Sequence, residues 1–175
     1  AFMLTSLGLR LDAARLAMTQ WASTCVARLV KLHDPAYTEQ ARFLAGGPVG
    51  SSGTMVLEYT AASALETVRT LADPTSRHTT SISVGTEDHA SFASRGAMAL
   101  RESLPAFATV LACELVAAAR AVRWDGGVGT GEPAHALLDL CSELPDVRVD
   151  RPLVDDVAIA VTLLPALAAT VSSER

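Results

Sequence analysis

Thr86-Glu-Asp-His-Ala-Ser-Phe-Ala-Ser-Arg-Gly-Ala-Met-Ala-Leu-Arg-Glu-Ser-Leu-Pro-Ala-Phe-Ala-Thr-Val-Leu-Ala-Cys-Glu-Leu-Val-Ala-Ala-Ala-Arg-Ala-Val-Arg123 is the stretch whose reading decides the fold. Apolar residues recur in it at Ala93, Ala97, Leu100, Leu104, Phe107, Leu111, Leu115, Ala118 and Val122. Steps of three and four put side chains on one face of a helix. The run predicts a helix much longer than the average of a globular domain, with Thr86 as its N-cap and Pro105 kinking or dividing it. On that reading Glu87 and Asp88 fall in the first turn. Carboxylates are favoured there by the helix dipole, and they could equally accept a proton or bind an ammonium group.

The same periodicity extends upstream. Leu4, Leu7, Leu11, Ala14, Met18, Trp21, Cys25, Leu29 and Leu32 mark a helix over 3–32, with Met18 and Trp21 as core residues, ending before His33-Asp34-Pro35. Residues 36–44 suggest a short helix. The glycine-rich run 45–53 reads as a flexible connection, because no strand precedes it to make a phosphate-binding motif. Leu57, Ala61, Leu65, Val68 and Ala72 stripe a helix over 54–72, with Thr54 as N-cap and Asp73-Pro74 as its stop. Residues 75–85 are polar and loop-like. Downstream, 125–131 is a glycine-rich linker, Pro133 opens a short helix over 134–144, and a last helix over 152–171 contains Pro165.

The whole chain agrees with this helical reading. Half of its 175 residues are hydrophobic, largely Ala, Leu and Val, and aromatics are only 5%. Small side chains let helices approach closely. The expected class is all-α, a long-helix bundle. Residues 1–123 form the bundle portion carrying the Glu-Asp-His loop, and 124–175 a C-terminal helical segment of the same domain. A formal charge of -5 with dispersed Lys and Arg suggests neither nucleic-acid nor membrane binding. Cys25, Cys113 and Cys141 lack metal-ligand spacing and read as buried thiols of a reducing, cytoplasmic compartment, with no metal site. His33 and His135 read as surface or capping residues, and His78 lies in the loop leading to Glu87. The start at Ala1-Phe2-Met3, already inside an apolar pattern, looks like a cut through a larger protein.

Four segments, in order, carry a family resemblance. Gly53-Thr-Met-Val-Leu-Glu-Tyr-Thr-Ala-Ala-Ser-Ala-Leu-Glu66 resembles the S-G-F-M-x-x-x-Y-T-A-A-A-L-x-x-E segment of histidine and aromatic amino acid ammonia-lyases. Leu71-Ala-Asp-Pro-Thr-Ser76 is similar to their L-A-x-P-A-S, and Leu111-Ala-Cys-Glu-Leu-Val-Ala-Ala-Ala-Arg120 to L-A-I-E-L-L-A-A-A-Q. Ser83-Val-Gly-Thr-Glu-Asp-His-Ala-Ser-Phe92 is similar to S-A-N-Q-E-D-H-V-S-M of the histidine branch, with Gly85 and Thr86 replacing Asn-Gln and Phe92 replacing Met.

The resemblance implies an all-helical homotetramer that eliminates ammonia from an aromatic or heterocyclic α-amino acid, with histidine favoured. Its electrophile is a methylidene-imidazolone, made by cyclising an Ala-Ser-Gly triplet. Glu87 falls on the family's active-site carboxylate and is the catalytic and substrate-binding candidate. No Ala-Ser-Gly occurs in these residues, so the chain is expected to be a C-terminal portion, inactive alone and with no cofactor of its own. A helical oligomerisation module, a lyase-derived protein without catalysis, and an aminomutase using the same electrophile are the competing expectations.

Overall fold

The computed structural model describes residues 4–86, 90–124 and 138–173, without the side chains of 171–173. Its elements are helical: α1 (Thr5–Leu32), α2 (Pro35–Thr38), α3 (Val56–Thr70), α4 (Ala93–Trp124) and α5 (Val154–Ser173), with 3-10 turns at Arg42–Leu44, Thr75–His78 and Ser83–Gly85. The all-α expectation holds. Glu87, Asp88 and His89, the glycine-rich linker at 125–131 and the start of the helix expected over 134–144 lie outside the described residues, as does His135.

Two compact units share the long helices. The first takes 1–23 and 64–107, the second 24–63 and 108–175. In the first unit the buried face of α1 is one residue out of register with the expected apolar stripe. Gly8, Asp12, Arg15 and Ala22 are buried, whereas Leu4, Leu7 and Trp21 are 52%, 45% and 60% exposed. Trp21 therefore is not core; it meets Phe107 edge-on, ring centroids 6.1 Å apart. Close backbone approach sets this register. A Cβ on Gly8 would stand 3.2 Å from the Ser91 carbonyl oxygen, and one on Gly96 of α4 would stand 3.0 Å from Thr75 Oγ1. Only glycine admits that approach without displacing a neighbour.

The second unit holds an alanine-rich core. Leu29, Leu44, Leu57, Ala61, Ala112, Cys113, Val116, Ala117, Cys141, Leu144, Leu153 and Ala160 are buried together. The three cysteines are free and buried. Burial pushes the Cys25 and Cys113 thiols up to about 12, so neither is a ready nucleophile. By length and mean hydropathy (1.5 over its most apolar window) α4 could cross a membrane, but its apolar positions in this unit are spent on the core.

Three local expectations change. Thr54 does not cap α3, which begins at Val56. Thr86 does not cap α4, which begins at Ala93 with no acidic residue in its first turn. The expected helix over 36–44 is broken into two turns, because Glu39 and Phe43 adopt left-handed backbone at φ 58° and 56°. Asp34 opens the first of these turns by accepting the Ala36 N–H at 3.0 Å, with Pro35 at the first position. Both internal prolines are carried without a helix break: α4 runs through Pro105 and α5 through Pro165.

Candidate functional site

The site is built around the segment that leads into Thr86-Glu87-Asp88-His89. Its anchor is Asp12 on α1, 4% exposed. The Asp12 carboxylate accepts from Thr75 N (3.1 Å), Thr75 Oγ1 (3.1 Å) and Ser76 N (2.9 Å), and pairs with Arg15 one turn along the helix. Arg15 in turn donates to the carbonyls of Leu71 (2.6 Å) and Asp73 (3.1 Å). Two buried charges on α1 thus neutralise each other and satisfy the end of α3 and the turn after it. Burial alone would raise the Asp12 carboxyl, but the donors from Ser76, Thr75 and Arg15 outweigh it and hold the group well below the usual carboxylate range.

From this anchor the chain runs through Ile82 to Gly85. Ser83 and Val84 both sit at φ 55° and Gly85 at 81°. Left-handed backbone is costly for a β-branched residue such as Val84. The loop closes where the Ala90 N–H donates to the Thr80 carbonyl at 3.1 Å. Glu87 itself lies outside the described residues, but the two strands of chain that bracket it are pinned together at this neck. Because α4 starts six residues after Glu87, the dipole explanation for acidic residues at 87 and 88 does not apply.

A cavity of about 420 Å³ opens beside this loop, lined by Arg15, Asp73, Thr75, His78, Phe92, Arg95, Met98 and Glu102 among others. It is large enough for a small molecule. His78 is 57% exposed at its side chain, its Nε2 3.4 Å from an Asp73 oxygen that also faces Arg77. Among the described residues no group of His, Cys, Asp and Glu could hold a metal ion.

Sequence reasoning missed two sites in the second unit. His33, expected as a surface or capping residue, is 2% exposed. Its Nδ1 lies 2.7 Å from Glu58 and its Nε2 2.9 Å from the Thr54 hydroxyl. Burial lowers its pKa against the opposing pull of Glu58, and Arg120 lowers it further. The Nδ1–H of the neutral ring donates to Glu58, while the Phe43 carbonyl takes both the Thr54 hydroxyl and the Thr54 N–H, each at 2.9 Å. The glycine-rich loop, in turn, does hold an anion, an internal one. The Asp150 carboxylate accepts from Ser52 N and Gly53 N, both at 2.8 Å, and from Ser52 Oγ at 3.2 Å. A polar residue 98 positions along the chain gave no signal near that loop.

Comparison with known proteins fits these observations. The family model "Aromatic amino acid lyase" matches residues 1–143. Histidine ammonia-lyase of Stigmatella aurantiaca is 31% identical over 89% of this chain and 31% of its own length. A probable histidine ammonia-lyase of Halobacterium salinarum is 34% identical over 91% of this chain and 31% of its own. The chain thus spans about a third of the length of these curated relatives. The crystal structure of histidine ammonia-lyase from Trypanosoma cruzi superposes with a TM-score of 0.83 at 23% identity, over 92% of this chain and 32% of that one. Phenylalanine aminomutase of Pantoea agglomerans superposes with 0.86 at 23%, over 93% and 33%. The ergothioneine-degrading enzyme ergothionase of Treponema denticola gives 0.85 at 25%, over 94% and 33%. With a helical fold, the sequence Glu87-Asp88-His89 and a family match over most of its residues, the chain belongs to the aromatic amino acid lyase family.

Proposed function

We propose that this chain is the C-terminal third of an ammonia-lyase that acts on an aromatic or heterocyclic α-amino acid, histidine first. The observation that carries this reading is 30–34% identity to histidine ammonia-lyases across 84–91% of the chain, together with Glu-Asp-His at 87–89. Elimination needs an electron sink, and in this family a methylidene-imidazolone supplies it. The 175 residues contain no Ala-Ser-Gly from which that group forms, so it comes from residues outside them, and the chain alone is inactive.

The role left to these residues is to shape the pocket and carry the carboxylate. Glu87 contacts the substrate amino group or ring, or moves a proton. The Asp12–Arg15 anchor and the Thr80–Ala90 hydrogen bond hold the described segments on either side of it. Exposed Leu4, Leu7, Leu9 and Trp21 support association with further copies, a homotetramer in the intact enzyme. Three free cysteines support a cytoplasmic location.

The test is made in the full-length parent enzyme. Ammonia release is followed with histidine, phenylalanine and tyrosine, for the wild type and for Glu87→Gln. Turnover of histidine, and a loss of about a hundredfold or more in the variant at an unchanged unfolding midpoint, is the expected result. Equal turnover in the variant removes Glu87 from the mechanism. A second reading, another amino acid or an isomerisation on the same scaffold, is favoured by Gly85, Thr86 and Phe92, which replace the Asn, Gln and Met of the histidine branch. A β-amino acid product, or turnover of phenylalanine or tyrosine in preference to histidine, would establish it.

A further inference from the structure

Four arginines meet in the second unit, and their hydrogen bonds leave a specific remainder. Arg123 donates to the carbonyls of Leu144 (2.8 Å) and Cys141 (2.6 Å), and Arg148 to that of Arg123 (2.9 Å). Arg120 donates through Nη2 to the Arg148 carbonyl. These acceptors are neutral. Arg148 Nε lies 4.0 Å from Asp146, and Arg151 holds the Asp156 carboxylate by two bonds of 2.6 Å. Arg120 is 8% exposed, and its Nε and that of Arg151 are both buried without a partner among the described residues. Leaving a charged donor buried and unpaired is among the costlier things a fold does.

Both side chains line one small cavity with Arg123, Asp156, Val116, Leu144 and neighbouring apolar residues. Its three guanidiniums face one carboxylate, a surplus of two positive charges. Asp146 and Asp150 favour the charged Arg120 only at longer range, while Arg151 and Arg148 oppose it. Asp150 is already held by Ser52 and Gly53. The cavity offers about 10 Å³ for the centre of a water-sized sphere, the room of one water or one monatomic ion. Phosphate, sulfate and carboxylate ligands are too large. A water would accept the two N–H groups but leave the charge standing.

We propose that this cavity binds a single halide ion, chloride under cellular conditions, which accepts the N–H groups of Arg120 Nε and Arg151 Nε. The ion ties α4 to the segment from Cys141 to Asp156 and balances a buried positive cluster. Crystals of the intact protein grown or soaked in bromide test it directly. An anomalous peak between Arg120 and Arg151 is expected. In solution, the unfolding midpoint rises saturably with chloride or bromide beyond the effect of acetate at equal ionic strength. Arg120→Gln lowers the apparent halide affinity at least tenfold and removes the bromide peak. Ordinary water density at the site in bromide, with identical midpoints in chloride and acetate, overturns the proposal. If Arg120→Gln does not fold, the wild-type bromide and midpoint measurements decide alone.

Discussion

Asp12 illustrates how one side chain organises a loop it does not belong to. It satisfies two backbone N–H groups and a hydroxyl of Thr75 and Ser76 while neutralising Arg15. Asp12→Asn leaves the buried Arg15 charge without its counter-charge, and breaking such a pair costs about 3–5 kcal/mol. We expect a shift of that size in denaturant unfolding, larger than for Asp73→Asn at the half-exposed surface pair with Arg77. Because the folded Asp12 is depressed below its ordinary 3.8, its contribution is fully present above that value and is lost as pH falls towards the folded one. His33 acts in a different window. Its pKa is lowered from 6.5, chiefly by burial, so the fold favours the neutral ring. The unfolded chain takes up the proton first, and stability falls as pH drops below about 6.5. Thermal midpoints between pH 7.5 and 5.5 check this; in His33→Gln the decline over that range should flatten. None of this was legible beforehand, because the partners of Asp12 and His33 lie 63 and 25 positions away.

At the scale of elements, helix existence was legible and helix register only in part: the stripe Leu57, Ala61, Leu65, Val68 and Ala72 is buried as expected, as are Cys25 and Leu29 of α1. α1, α3 and α4 stand where the three-and-four spacing placed them, and α5 stands where the last helix was expected. Their starts moved: α4 begins at Ala93 and not at Thr86, since residues 83–85 turn the chain through left-handed backbone. In the first unit the buried face of α1 moved by one residue, where Gly8 approaches the backbone of Ser91. The equivalent close approach at Gly96 makes a sharp test. Leucine is favoured over glycine in a helix by up to about 1 kcal/mol. Its Cβ would nevertheless stand 3.0 Å from Thr75 Oγ1, a hydroxyl bound to Asp12. Gly96→Leu is therefore expected to lower stability, by about 1–3 kcal/mol as for other overpacked sites, measured by urea unfolding. A gain would show that Thr75 yields freely.

At the scale of the whole molecule, the chain presents many large apolar side chains to solvent, among them Leu4, Leu7, Leu9, Leu16, Trp21, Tyr59 and Val154. Exposed apolar side chains in such number favour association. Light scattering at micromolar concentration is expected to give a mass above that of one 18.3 kDa chain, and Leu7→Lys combined with Trp21→Lys to lower it. A monodisperse single-chain mass for the wild type would count against an association surface. By itself the sequence determined the helical class, because period and composition are local properties repeated along the chain. It also carried the family and the Glu87-Asp88-His89 signature, because four ordered segments survive as strings of residues. Only the tertiary structure decided which polar groups are buried, that Trp21 is exposed, that the glycine-rich loop grips Asp150, and that four arginines share one corner. Those facts depend on contacts between residues far apart in the chain, where the spacing of neighbours holds no information.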